Sequence, residues 1–160
     1  MDSTEQLRTQ LARFLDWKEA HAGFDAAVIG IPLQARGLRP VGMPHSPWEL
    51  LEHLRLTQRD ILDFCRHPDY VEPSWPADYW PPSAEPPTLE AWEESAASFR
   101  RDRESLQQLV LDPAVDLFAT IPHGTGQTYI REVLLVADHT SYHVGQLVLA
   151  RRLLGVWPSA

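Results

Sequence analysis

Two histidines four residues apart in an apolar run are the clearest chemical signal in this chain. His139 and His143 lie in IREVLLVADHTSYHVGQ, residues 130–146. In an α-helix each residue turns about 100°, so that spacing leaves the rings roughly 40° apart around the axis and one turn apart along it. Both can therefore face one point. Neutral imidazole is a common metal ligand, and such a pair is half of a metal site. Gln146 continues the same face a further turn on. The ordinary alternative is a pair of core histidines satisfied by hydrogen bonds, but two on one stripe with a glutamine behind them are harder to satisfy in that way. The zincin pattern is excluded, because it needs Glu directly after the first His and position 140 is Thr.

A third imidazole comes from His53, in the middle of SPWELLEHLRLTQRDIL. Ser46 is a good N-cap and Pro47 suits the first helical position, so a helix is predicted from Trp48 to about Arg66. Leu50, Leu51, Leu54, Thr57, Ile61, Leu62 and Phe64 form its core face, with His53 among them. Alone, such a histidine is usually structural. With a histidine pair elsewhere, it completes the three-protein-ligand count of a catalytic zinc site, which leaves one position open, whereas a closed structural site would need four.

Around the proposed ligands the side chains read less sharply. Asp60 is two turns from His53, roughly 10 Å along a helix, too far to share an ion with it but able to line a pocket. Tyr142 could hydrogen-bond a ligand, or be an ordinary core tyrosine. His21 is a candidate for the pocket rim. His45, His67 and His123 fall in loops and read as solvated. Asp138 is rotated about 100° from the His139 stripe and reads as a partner in a cap or ion pair. Cys65 has no neighbour but Arg66 to activate it.

Composition narrows the class of protein. The 160 residues, 44% hydrophobic and 22% charged, suit one domain spanning 1–160 with its own core. A net charge of -8 argues against nucleic acid as a partner, since binding it depends on neutralising phosphates. Cys65 is the only cysteine, which rules out an internal disulfide and a cysteine-rich zinc site. The N-terminus MDSTEQLRTQ lacks the basic and apolar blocks of a signal peptide, and no run approaches the ~20 apolar residues of a membrane span. A cytoplasmic protein with no membrane association is expected.

Helices must carry these residues. Leu7, Leu11, Phe14, Leu15 and Trp17 have helical spacing, predicting a first helix from Ser3 to about His21 capped by Ser3 or Thr4, with a short piece from Phe24 to Ile29. The segment from Pro32 to Pro47, with four prolines and two glycines, reads as a loop. So does His67 to Pro87, rich in Pro, whose Tyr70, Trp75, Tyr79 and Trp80 would cover a bundle end or wall a pocket. Thr88 opens a third helix with Trp92, Ala96, Phe99, Leu106, Leu109 and Val110 inside. Its Arg100–Glu104 run reads as a solvated face, and Asp112-Pro113 ends it. After a connector from Asp116, Thr128 caps the last helix, which runs to about Leu154 and is apolar on nearly every face, as if surrounded by other helices. An all-α helix bundle with long Pro- and aromatic-rich loops is the most economical fold.

The stretches SPWELLEHLRLTQRDIL and VADHTSYHVGQLVLARRLLG, with the order and length of the helices, resemble the DinB/YfiT family of DinB-like metalloenzymes. That resemblance implies an up-down-down-up four-helix bundle, often dimeric, with a divalent metal such as zinc or nickel on a triad that maps onto His53, His139 and His143. It also implies a small-molecule substrate and a transferase or isomerase reaction using a low-molecular-weight thiol such as bacillithiol or mycothiol. A metal-dependent hydrolase and a non-catalytic metal-binding or stress-response protein are the alternatives, with a bundle-shaped interaction module behind them.

Overall fold

Each long helix begins where the chain supplies acceptors for its first free N–H groups. The computed structural model describes residues 2–158. Its α-helices are α1 (Ser3–Phe14), α2 (Phe24–Val28), α3 (Leu33–Arg36), α4 (Pro47–Arg66), α5 (Ala91–Leu111) and α6 (Tyr129–Leu153), with one 3-10 turn at Ala77–Tyr79. The described residues include no strand, only an isolated bridge between Thr120 and Thr128. Ser46 and Glu49 form a reciprocal capping box on α4, and Thr128 caps α6 through Arg131 N–H. No helix among the described residues is long and apolar enough to cross a membrane.

The four long helices close a ring of contacts, with α4 against α5 and α6, and α1 against the same two. Their interior divides into two apolar clusters. One gathers Phe24, Ile31, Trp48, Leu51, Leu54, Phe99, Val144 and Leu147, and the other Leu11, Leu15, Leu62, Leu106, Val110, Val133 and Val136. Along α4 the change from one to the other falls between Leu54 and Leu62, and along α6 between Val136 and Val144. Near this break lie His53, Thr57, Gln58, Asp102, Arg103 and His143, all buried. The histidines thus occupy a polar layer between two blocks of core.

Several boundaries differ from expectation. The first helix stops at Phe14, not His21, and its cap is Asp2 rather than Ser3 or Thr4, in a capping box with Glu5. The cause of the early stop lies on α5. Arg103 is 7% exposed and bonds Asp16 at 2.6 Å and Asp25 at 3.3 Å, so the chain must leave the helix to deliver both carboxylates. The Arg100–Glu104 run is therefore not a uniformly solvated face. Its Asp102 and Arg103 point inward, Arg103 lying one turn beyond the buried Phe99. The Pro32–Pro47 segment contains the single turn α3, whose Arg36 guanidinium lies 4.9 Å over the Trp92 ring. Thr88 lies outside the third helix, which begins at Ala91, although its hydroxyl accepts the Ala91 N–H at 3.2 Å. α6 is not wrapped on all sides, since Leu134, Leu135, Tyr142, Leu149 and Leu153 are exposed.

Candidate metal centre

His53 on α4 and His139 and His143 on α6 come together, with one ring nitrogen from each lying within 4.8 Å of the others. Ring centroids are 4.9 Å apart for His53 and His139, 4.6 Å for His53 and His143, and 4.4 Å for His139 and His143. The i, i+4 pair supplies one side, and the packing of α4 on α6 brings the third ring across.

The remaining nitrogens fix which lone pairs are free. His53 Nδ1 lies 2.7 Å from the Tyr79 carbonyl, an acceptor only, so it carries the proton. His143 Nδ1 donates in the same way to Gln146 Oε1 at 2.7 Å. Thr57 gives its own hydroxyl proton to the His53 carbonyl at 2.7 Å, which leaves its oxygen to accept from His139 Nδ1 at 3.4 Å. All three Nε2 atoms are then bare in the neutral rings. Those of His53 and His139 are only 3.1 Å apart. With the protons on Nδ1, two lone pairs face each other at that distance, an arrangement that a shared cation would relieve.

The rings also resist supplying that cation as a proton. Burial first, and then the neighbouring imidazoles His143 and His45, push His53 down to about 4, against the opposing pull of the Tyr79 carbonyl. Burial followed by His143 and His53 pushes His139 down to about 3. His143 is lowered too, chiefly by burial, with Gln146 opposing and His45 adding to the shift. Three neutral imidazoles, each with Nδ1–H donated to oxygen, match the donor set and outer contacts of a histidine-bound metal. The residues fit a divalent ion on chemical grounds.

The four pocket candidates scatter. Gln146 touches the triad, as the hydrogen-bond partner of His143. Tyr142 sets its ring edge-on to His143 at 4.9 Å and 86°, but it is 63% exposed rather than a core tyrosine. Asp60 makes no hydrogen bond to the rings; it accepts hydroxyl bonds from Tyr70 at 2.6 Å and Tyr79 at 2.8 Å and lines a cleft with them. His21 is exposed and bonded to the Ala22 carbonyl at 3.0 Å. It borders a separate space of about 20 Å³ with Trp17, Thr140 and Ser141, room for about one water. Asp138 is exposed and forms no ion pair or cap among the described residues.

Sequence reasoning missed His45, and it placed Trp80 among the pocket-walling aromatics without its contact to His53. Trp80 stacks on His53 at 3.8 Å and 3°, and on His45 at 3.9 Å and 15°. His45 is half-buried and not solvated as expected, while His123 donates its Nε2–H to the Phe64 carbonyl at 2.8 Å and is likewise partly buried. Only the aromatic content of the 67–87 loop pointed towards such a lid. Cys65 is buried, and its thiol is pushed up to about 12 by burial and then by Glu132, which disfavours the reactive thiolate.

No curated protein and no solved structure matches the chain. The family model described as the DinB superfamily matches residues 16–147, a span that includes all three histidines and most of the bundle. The chain belongs to the DinB superfamily.

Proposed function

We propose that this chain is a metal-dependent enzyme whose ion, zinc or nickel, is held by His53, His139 and His143, and that it transfers a small thiol to an electrophilic substrate. The observation that carries the metal reading is the 3.1 Å approach of two bare Nε2 atoms beside a third. A divalent ion there would lower the pKa of a thiol reaching its open position. The chain's own contribution is to orient the three rings through Tyr79, Thr57 and Gln146, and to flank them with Trp80 and Tyr142. An up-down-down-up connectivity and a cytoplasmic location belong to the same reading.

Thiol transfer is favoured over hydrolysis by the surroundings. Hydrolysis requires a base beside the attacking water. Among the described residues no carboxylate hydrogen-bonds any of the three rings or perturbs their protonation. His45 is the specific observation in favour of a hydrolase, because its ring stacks on Trp80 and makes no hydrogen bond among the described residues. The test begins with elemental analysis of the purified protein. Metal-loaded protein is then offered small thiols with electrophilic acceptors, in parallel with esters, amides and phosphoesters. Thiol-dependent turnover abolished by His53→Ala is expected. Turnover confined to the hydrolytic panel, and lost in His45→Ala, would replace transfer by hydrolysis. Stoichiometric metal without turnover in either panel would leave a binding protein.

A further inference from the structure

His53 is held by a loop, and a loop carbonyl is only as fixed as the segment that bears it. The Tyr79 carbonyl that receives the His53 Nδ1 proton belongs to the 3-10 turn between α4 and α5. Tyr79 is 8% exposed, and its hydroxyl donates to Asp60 Oδ2 at 2.8 Å. The other oxygen of the same carboxylate receives the Tyr70 hydroxyl at 2.6 Å. Trp80, the next residue, lays its ring flat against His53.

Asp60 lies on α4, as His53 does, about 10 Å further along the axis. The helix that carries the ligand therefore also carries the group that pins the loop to it. Asp60 has no Arg or Lys partner among the described residues, and both of its oxygens are engaged by loop tyrosines. Hydroxyl bonds to an ionised carboxylate are shorter and stronger than neutral ones, which suits it to this purpose. Burial first, and then the bond to Asp60, push both phenols well above their ordinary value, so they stay protonated as donors.

We infer that Asp60 is a positioning residue for the metal centre: acting through Tyr79, it fixes the tautomer and ring plane of His53, making the turn that bears Tyr79 part of the metal-binding apparatus. This rests on the reading of the triad as a metal site. Asp60 touches neither the ion position nor a reacting atom.

Cobalt(II) is the probe, titrated into metal-free protein and followed by its visible absorption. Wild-type protein is measured first, and failure to bind cobalt there would sink the metal reading itself. Given wild-type binding, Asp60→Ala and Tyr79→Phe are expected to bind cobalt about 10-fold to 100-fold more weakly and to change the spectrum of the bound ion. Tyr79→Phe keeps the carbonyl and the ring, so only the anchor is lost. Tyr70→Phe removes an equivalent bond to the same carboxylate, nine residues from Tyr79, and should leave affinity and spectrum close to wild type. Thermal melts of the metal-free variants establish folding, and Asp60→Asn, expected to act in the same direction, replaces Asp60→Ala if that variant unfolds. Folded Asp60 and Tyr79 variants with wild-type affinity and spectrum would overturn the inference. So would a Tyr70→Phe loss equal to that of Tyr79→Phe, because general loosening of the loop would then be the cause.

Discussion

At the scale of single residues the centre is a problem of where three protons go. Tyr79, Thr57 and Gln146 each draw a proton to Nδ1, and burial keeps the rings neutral, so the Nε2 lone pairs converge without a donor among them. Alanine at His53, His139 or His143 should each strip most of the bound metal from purified protein, as read by elemental analysis. Full occupancy in all three variants would refute the site. The fold should outlast these changes, unlike a zinc finger without its ion, because Leu50, Leu51, Leu54 and Leu147 are fully buried independently of any metal. Gln146→Leu removes only the acceptor for His143 and should weaken metal binding about 10-fold to 100-fold by competition titration. The His139–His143 pair was legible because both residues sit on one helix, where spacing alone sets direction. The contacts of Trp80 and the Tyr79 carbonyl with His53 were not legible, since they depend on how an irregular loop folds back across α4.

At the scale of elements, the same distinction separates helix starts from helix ends. The starts of α4 and α6 could be read from Ser46, Pro47 and Thr128, because a cap is a local hydrogen bond. The end of α1 could not, because it is set by the buried Arg103 reaching Asp16 and Asp25 from another helix. α4 matters most, since it carries both His53 and Asp60. Ser46→Ala removes its cap and the bond to the Ala84 carbonyl, and should cost about 1–2 kcal/mol in denaturant unfolding. Glu49 supplies the other half of the capping box and pairs with Arg39. Burial raises its carboxyl, but the Arg39 and Ser46 hydrogen bonds outweigh this and hold it below its ordinary 4.5. The unfolded chain then binds the proton first, so the stability from this pair is complete above 4.5 and drains as pH falls through the lower folded value. Glu49→Gln keeps the reciprocal cap but removes the charge. Its acid unfolding curve should be shallower than that of wild type below pH 4.5, and an unchanged curve would show that the ionisation contributes nothing.

At the scale of the whole molecule, α6 carries a row of exposed apolar side chains. Leu135, Tyr142 and Leu149 follow one another at seven-residue intervals and are 37%, 63% and 49% exposed, with Leu153 at 54%. A seven-residue repeat drifts only about 20° per interval around a straight helix, so these side chains form one stripe. Gly145 adds an open gap on it, where an added Cβ would meet nothing within 4 Å. Exposed Asp138 and half-buried Gln146 interrupt the stripe, but a row of large exposed apolar side chains on one helix face is a feature of interaction surfaces. We propose that two copies pack along this stripe as a homodimer, which would place each interface beside the triad through the contact of Tyr142 with His143. A stable interface buries roughly 1,200–2,000 Å² in total, more than the stripe alone provides, so neighbouring loops would have to contribute. Light scattering should give twice the 18.2 kDa chain mass at micromolar concentration. Leu149→Glu places a charge on the stripe without touching the core or the ligands, and should return the mass to a single chain while metal occupancy is kept. A wild-type mass of one chain throughout the micromolar range would refute the dimer. A Leu149→Glu protein that remains dimeric would move the interface away from α6.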